Sequence, residues 1–196
     1  MSLRAVVLAA GESRRLGEPK ALARLGARTA LEHLLESLAC VDARPLVVTG
    51  AHDAEIRARL PALTPLFHPR WAEGRTSTLL AARAALPAED LMIAPVDVPL
   101  VSAVTCAALA EAWRALGSPA LGWLAPRLRS EGAFGHPVIV GRDLLTRLET
   151  GTELRTLRAH AVPLHSLVVD DAAILDDLDT PADLASLRRR LEFGTG

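Results

Sequence analysis

Apolar and polar positions along this chain alternate between two periods. Ala5 to Ala9 is an uninterrupted apolar run, and with Leu3 it predicts a buried strand over Leu3–Ala9. Helical spacing of apolar residues follows from Thr29 to Val41, a strand pattern from Pro45 to Thr49, and a helix from Asp53 to Leu60. A short apolar run near Leu66 precedes a helix with hydroxyl caps over Thr76–Leu86, a strand over Leu91–Ala94, and a long helix from Ser102 to Leu116 with Ser102 as its cap. Helix-like stretches around Leu144 and Leu154, a strand from Val162 to Val169 and a last helix from Pro181 to Leu191 complete the series.

Strands alternating with helices predict an α/β fold: a mainly parallel, Rossmann-like sheet in a three-layer arrangement, with helices on both faces. Between Ala120 and Val140 the alternation breaks. Gly122, Pro126, Gly132, Gly135 and Pro137 punctuate two strand-like pieces, which reads as an antiparallel excursion. No repeat, low-complexity tract or linker divides the chain, so residues 1–196 are expected to form one domain.

Composition narrows the functional classes. At 196 residues and 50% hydrophobic the chain can bury a full core. A formal net charge of −1 argues against nucleic-acid or anionic-membrane partners, and no apolar run approaches a membrane span. A cytoplasmic location is therefore expected. Cys40 and Cys106 lie far apart in apolar contexts and read as core thiols, with neither a disulfide nor a metal site indicated. Asn, Gln and Tyr are absent, and Lys20 is the only lysine among 22 basic residues. A position that keeps lysine where arginine serves everywhere else suggests a compact ammonium acting as a point charge on phosphate.

Lys20 closes the segment Leu8 to Lys20, LAAGESRRLGEPK, directly after the first strand. Gly11 and Gly17 open a tight turn whose backbone N–H groups can face an anion. It is neither a Walker A loop, since Glu18 and Pro19 separate Gly17 from Lys20, nor a dinucleotide fingerprint, which needs a third glycine. It resembles the signature loop LAAG-x-S-x-R-M-G-x-P-K of the molybdopterin nucleotidyltransferase-like family, including molybdenum cofactor cytidylyltransferases, with Leu16 in place of methionine. The resemblance runs the length of the chain.

In an open parallel sheet, ligands bind beyond the carboxyl ends of the strands. Asp97 lies there, between Pro95 and Pro99 in PVDVPL, well placed to hold a hard divalent cation. The resemblance implies that it binds Mg2+. In DLDTPADL, Asp177 to Leu184, Thr180 and Asp183 account for a helix start and leave Asp177 and Asp179 unexplained on one side of an extended segment. The family's equivalent turn is implied to supply the second metal carboxylate, with Asp179 favoured and Asp177 the alternate. Asp170, Asp171 and Asp176 read as solvated surface charge.

The resemblance implies further roles: Leu8, Ala9, Ala10, Gly11, Ser13, Arg15, Gly17, Lys20 and Ser77 bind the nucleotide, Arg15, Lys20 and Asp97 carry catalysis, and His136 and Arg155 face the acceptor. Two stretches depart from the family. Arg75, Thr76 and Thr78 stand where Met-Gly-Ser is usual, and Thr150 to Arg155 keeps only the arginine of a Gly-Asp-x-Gly-x-Arg motif. The implied reaction moves a nucleoside monophosphate from a triphosphate, CTP by the LAAG loop, to a phosphorylated small-molecule acceptor such as molybdenum cofactor. A molybdoenzyme would be a transient partner. Alternatives are guanylyl transfer, another phosphorylated acceptor, or a non-catalytic nucleotide-binding accessory protein.

Overall fold

A computed structural model describes residues 2–193. Strands are β1 Leu3–Ala9, β2 Arg24–Leu25, β3 Arg28–Thr29, β4 Leu46–Thr49, β5 Leu66–Phe67, β6 Asp90–Pro95, β7 Trp123–Leu128, β8 Val138–Val140 and β9 Leu164–Val169. Helices are α1 Ala30–Leu38, α2 Asp53–Arg59, α3 Arg75–Ala85, α4 Ala103–Ala115, α5 Arg142–Leu145 and α6 Pro181–Phe193. Seven strands form one sheet in the order β5-β4-β1-β6-β8-β7-β9. β1 pairs in parallel with β4 on one side and β6 on the other, so the strand order reverses at β1. β8 alone runs against its neighbours, wedged between β6 and β7. The antiparallel excursion is thus a single short strand, and β9 returns parallel to β7 at the sheet edge.

Alternation along β1 sends its side chains into two cores. Ala5, Val7 and Ala9 face Leu31, Leu34 and Leu38 of α1 and Leu109 and Trp113 of α4. Val6 and Leu8 face Leu79 and Ala82 of α3 and Leu144 and Leu145 of α5. These are the two helical layers around the sheet. A third, smaller cluster joins Leu16 of the first loop, Leu25, Leu178, and Leu184 and Leu187 of α6. It places the C-terminal acidic segment beside the loop that follows β1. α6 also packs on the hairpin β2–β3, where Arg188 Nε donates to the carbonyl of Arg24 at 2.9 Å.

The expected elements are found with shifted ends, and the segment around Leu154 is a 3-10 helix over Leu154–His160. Three corrections concern polar and sulfur side chains. Asp171 is not a solvated charge: its carboxylate accepts from the N–H of Ser102 (2.9 Å) and the hydroxyl of Thr105 (2.7 Å), securing the start of α4. Asp176 is likewise largely covered and paired with Arg190. Cys40 is exposed rather than a core thiol, because it lies past the last turn of α1, whereas Cys106 is buried and its thiol is pushed up to about 12 by burial. Among the described residues no helix is long and apolar enough to cross a membrane.

Candidate active site

The loop after β1 is organised by Ser13. Its backbone adopts a left-handed φ of 55°, and its carbonyl accepts from the N–H groups of Leu16 and Gly17, both at 3.1 Å. Gly17, at φ 82°, supplies a conformation that a side chain would strain. The Ser13 hydroxyl accepts from the N–H of Lys20 at 3.0 Å. Leu16 meanwhile sinks into the small core with Leu178. The loop is thereby anchored at both ends, and the Lys20 ammonium is aimed at the carboxylates opposite.

Those carboxylates come from two segments that are tied together. Leu178 N–H donates to the backbone carbonyl of Asp97 at 2.9 Å. The Asp183 carboxylate receives the N–H groups of Asp179 (3.1 Å) and Thr180 (2.7 Å), which folds the turn before α6 into a capping arrangement. Carboxylate oxygens of Asp97, Asp177 and Asp179 lie within 4.8 Å of one another. Lys20 Nζ donates to Asp179 and stands 3.8 Å from Asp97. Arg15 also pairs with Asp179, and Arg75 Nη2 reaches Asp97 at 3.1 Å.

Electrostatics follow from this crowding. Desolvation and the neighbouring Asp179 carboxylate push Asp177 above the usual carboxylate range. Desolvation opposes ionisation of Asp179 as well, but the hydrogen bond and charge of Lys20 outweigh it and hold Asp179 low. Three carboxylates are balanced by three cations, none of which is hydrophobically locked on the arginine side: the Arg15 and Arg75 side chains are 71% and 66% exposed. Converging hard oxygens of this kind suit a divalent ion such as magnesium, and Asp97, Asp177 and Asp179 are the residues that could hold it.

Two cavities meet at this point. One, of about 310 Å3, is lined by Ala10, Gly11, Ser13, Lys20, Trp71 and Asp97 among others. The second, of about 610 Å3, has an apolar wall of Trp123, Ala125 and Val138, with His136, Arg155 and Arg158 around it. Leu8, Arg75 and Pro95 line both. Burial holds His136 below the ordinary histidine range, and its Nδ1 is buried without a partner among the described residues. Gly135 permits this packing, since a Cβ there would sit 2.2 Å from the carbonyl oxygen of Ile174.

Of the residues singled out in the sequence, Leu8, Ala9, Ala10, Gly11, Ser13, Arg15, Lys20, Asp97 and Asp179 line the smaller cavity. His136 and Arg155 line the larger one. Asp177 joins the carboxylate cluster, and Gly17 shapes the loop from behind. Ser77 lies elsewhere: it is buried, and its hydroxyl donates to the carbonyl of Gly74 at 2.8 Å and lies 3.0 Å from His68 Nε2. Thr78, one position on, lines the cavity instead. Sequence reasoning passed over His52, Trp71 and above all Arg75, whose only signal was that an arginine occupied a position where the family pattern is small or apolar.

Comparison with known proteins agrees with this geometry. Along nearly all of its length the chain is similar to a molybdenum cofactor guanylyltransferase of Rhizobium leguminosarum bv. trifolii (34% identity over 95% of this chain and 92% of the relative). It is also similar to the molybdenum cofactor cytidylyltransferase of Escherichia coli (23% identity, covering 94% and 95%). A partial match, 38% identical over 51% of this chain, is to the bifunctional protein GlmU of Azorhizobium caulinodans, of which the chain spans only 24%. Among solved structures, Rv0371c of Mycobacterium tuberculosis superposes with a TM-score of 0.79 at 26% identity over 96% of this chain and 99% of that one. The same mycobacterial protein has been crystallised in complex with manganese. With residues 5–166 matching its family profile, the chain belongs to the MobA-like NTP transferase domain family of nucleotidyltransferases.

Proposed function

We propose that this protein transfers a nucleoside monophosphate, from CTP in preference to GTP, to the terminal phosphate of molybdenum cofactor, releasing pyrophosphate with magnesium as the cofactor. The observation that carries the reading is the meeting of Lys20 with the Asp97, Asp177 and Asp179 carboxylates at the junction of two cavities. One cavity suits a triphosphate and the other a second substrate. No nucleophilic triad is needed beside them, because a phosphate oxygen is already a competent nucleophile.

In this reading the triphosphate lies along the first loop, with Lys20 and Arg15 neutralising its phosphate oxygens. Both leave Asp179 to do so. Asp97 and Asp179, with Asp177 beside them, would hold magnesium, which would supply positive charge to stabilise negative charge on the transferring phosphoryl group. His136 and Arg155 face the acceptor. An acceptor phosphate oxygen forms a bond to the α-phosphorus, the bond from α-phosphorus to the bridging oxygen breaks, and pyrophosphate leaves with that electron pair. The chain contributes positioning and charge, which for phosphoryl chemistry are the main sources of rate. Ala10, with its methyl at the edge of the nucleotide cavity, is assigned the choice of base.

Pyrophosphate release with each nucleoside triphosphate in turn, with molybdenum cofactor supplied, tests the proposal. CTP-dependent release that requires both magnesium and acceptor is expected. Release with no acceptor, or with none of the triphosphates, would overturn it.

A further inference from the structure

Arg75 opens α3 and, among the described residues, is the one cation that lines both cavities. Its backbone is held from both sides. Gly74 precedes it with φ 101°, and the hydroxyl of Thr76 donates to the carbonyl of Thr152, fastening the start of α3 to the segment that carries Arg155. The guanidinium rests on Asp97 at 3.1 Å, yet its side chain is 66% exposed while those of Asp97 and Lys20 are each 15% exposed. An ion pair so open to solvent holds its partner weakly. Asp97 therefore keeps Lys20 nearby when Arg75 departs, and Arg75 loses little by departing.

We propose that Arg75 receives the attacking phosphate of the acceptor: it leaves Asp97 and grips that phosphate where the two cavities meet. The inference rests on the nucleotidyl-transfer reading above. A guanidinium fork matches two oxygens of a phosphomonoester, and it offsets the repulsion between two anionic substrates forced together. Position decides the assignment among the cations. Lys20 and Arg15 are committed to the triphosphate side in that reading, and in the larger cavity Arg155 is paired with Glu153 while Arg158 lies over the Phe134 ring, 4.9 Å from its centroid. Among the described cations, Arg75 alone lines the wall shared by both. The acceptor class that follows is a phosphomonoester on an apolar body, since Trp123, Ala125 and Val138 face the space beyond the guanidinium.

The test compares the wild-type chain with Arg75→Ala and Arg75→Lys, using CTP and molybdenum cofactor as the two substrates. Arg75→Ala is expected to raise the acceptor KM by about tenfold or more while CTP affinity, measured by calorimetry in magnesium, changes by less than about threefold. Arg75→Lys should recover part of the loss, and added guanidinium should partly restore the alanine variant. Mn2+ affinity, read by electron paramagnetic resonance without nucleotide, should be no weaker in Arg75→Ala, because Asp97 is freed. An unchanged acceptor KM in an active Arg75→Ala enzyme would overturn the assignment alone. So would loss of Mn2+ binding, which would make Arg75 a support for Asp97. A wild-type chain that releases no pyrophosphate with any triphosphate would overturn the transfer reading and this inference together.

Discussion

Replacing Lys20 with alanine separates its pairing with the acidic cluster from the catalytic role proposed above. Lys20 is 15% exposed, donates to Asp179 and lies 3.8 Å from Asp97, so in the absence of substrate it is a counter-charge to the acidic cluster. At an effective dielectric constant of about 20, unit charges at that separation interact by about 4 kcal/mol, most of which is offset by desolvation of the pair. A net loss of about 1–3 kcal/mol of stability is expected in Lys20→Ala. In the proposed reaction the same charge faces developing phosphate charge, and its loss should lower kcat about a hundredfold, equivalent to about 3 kcal/mol of transition-state stabilisation.

The two effects part company when magnesium is added. With Lys20 gone, the carboxylates of Asp97, Asp177 and Asp179 lie within 4.8 Å with one fewer cation among them. Magnesium should then bind the nucleotide-free protein more tightly, by up to about tenfold, and recover the lost thermal midpoint without recovering turnover. Calorimetric titration and thermal melts with and without magnesium, set beside pyrophosphate release, make the comparison. Lys20→Arg should remain impaired, because a planar fork cannot reproduce the point contact. Turnover close to wild type in the alanine variant, or weaker magnesium binding, would refute the reasoning.

Asp97→Asn should abolish magnesium-dependent turnover and leave weakened triphosphate binding, with the thermal midpoint hardly lower since carboxylate crowding is relieved; an unfolded variant would show Asp97 to be structural. Asp171→Asn should cost about 1–3 kcal/mol in urea denaturation at neutral pH, because the carboxylate accepts from Ser102, Thr105 and Ala173. Burial opposes ionisation of Asp171, but those hydrogen bonds outweigh it and lower its pKa, so its contribution is present above the unfolded value of 3.8 and lost as pH falls through the lower folded one. The mutant and wild-type curves should therefore converge in acid, and a gap that widens there would contradict the assignment. Ala10 lines the smaller cavity and is only 5% exposed, so in the proposed reading its methyl narrows the space for a base. CTP should be favoured over GTP by at least about tenfold in kcat/KM, with Ala10→Gly closing the gap. Competition between the two triphosphates decides this, and equal use would remove the cytidylyl assignment.

Where the sequence was legible, the information was local. β1, β4 and β6 announce themselves as apolar runs because both of their faces are buried, and the loop from Leu8 to Lys20 carries its chemistry in consecutive residues. The hairpin β2–β3 could not be seen. Its strands are two residues long, each with an exposed arginine, and they exist because Leu25 and Thr29 are covered from above by α6 and α1. Asp171 was misread for a related reason. In a run of acids, nothing local distinguishes the one that reaches 69 residues back to brace the cap residue of a helix.

The same limit explains why the residues of α3 were harder to read than the loop after β1. On a helix, successive side chains point about 100° apart, so the choice between Ser77 and Thr78 as the cavity hydroxyl depends on the phase in which α3 docks on the sheet. That phase is set by Leu79 and Ala82 packing beneath Val6 and Leu8, a tertiary fact. Starting the helix at Thr76 instead of Arg75 left Arg75 in a loop with no direction assigned to it. With α3 beginning at Arg75, its first turn lies beside Asp97, and a residue that looked like a departure from the family pattern becomes, among the described residues, the only cation bordering both cavities. A phosphate loop can be written in one segment of chain. The site proposed for two anionic substrates is assembled from segments that meet only after folding, here the end of β6, α3 and the turn before α6, and in that proposal its specificity rests on the residues at those meetings.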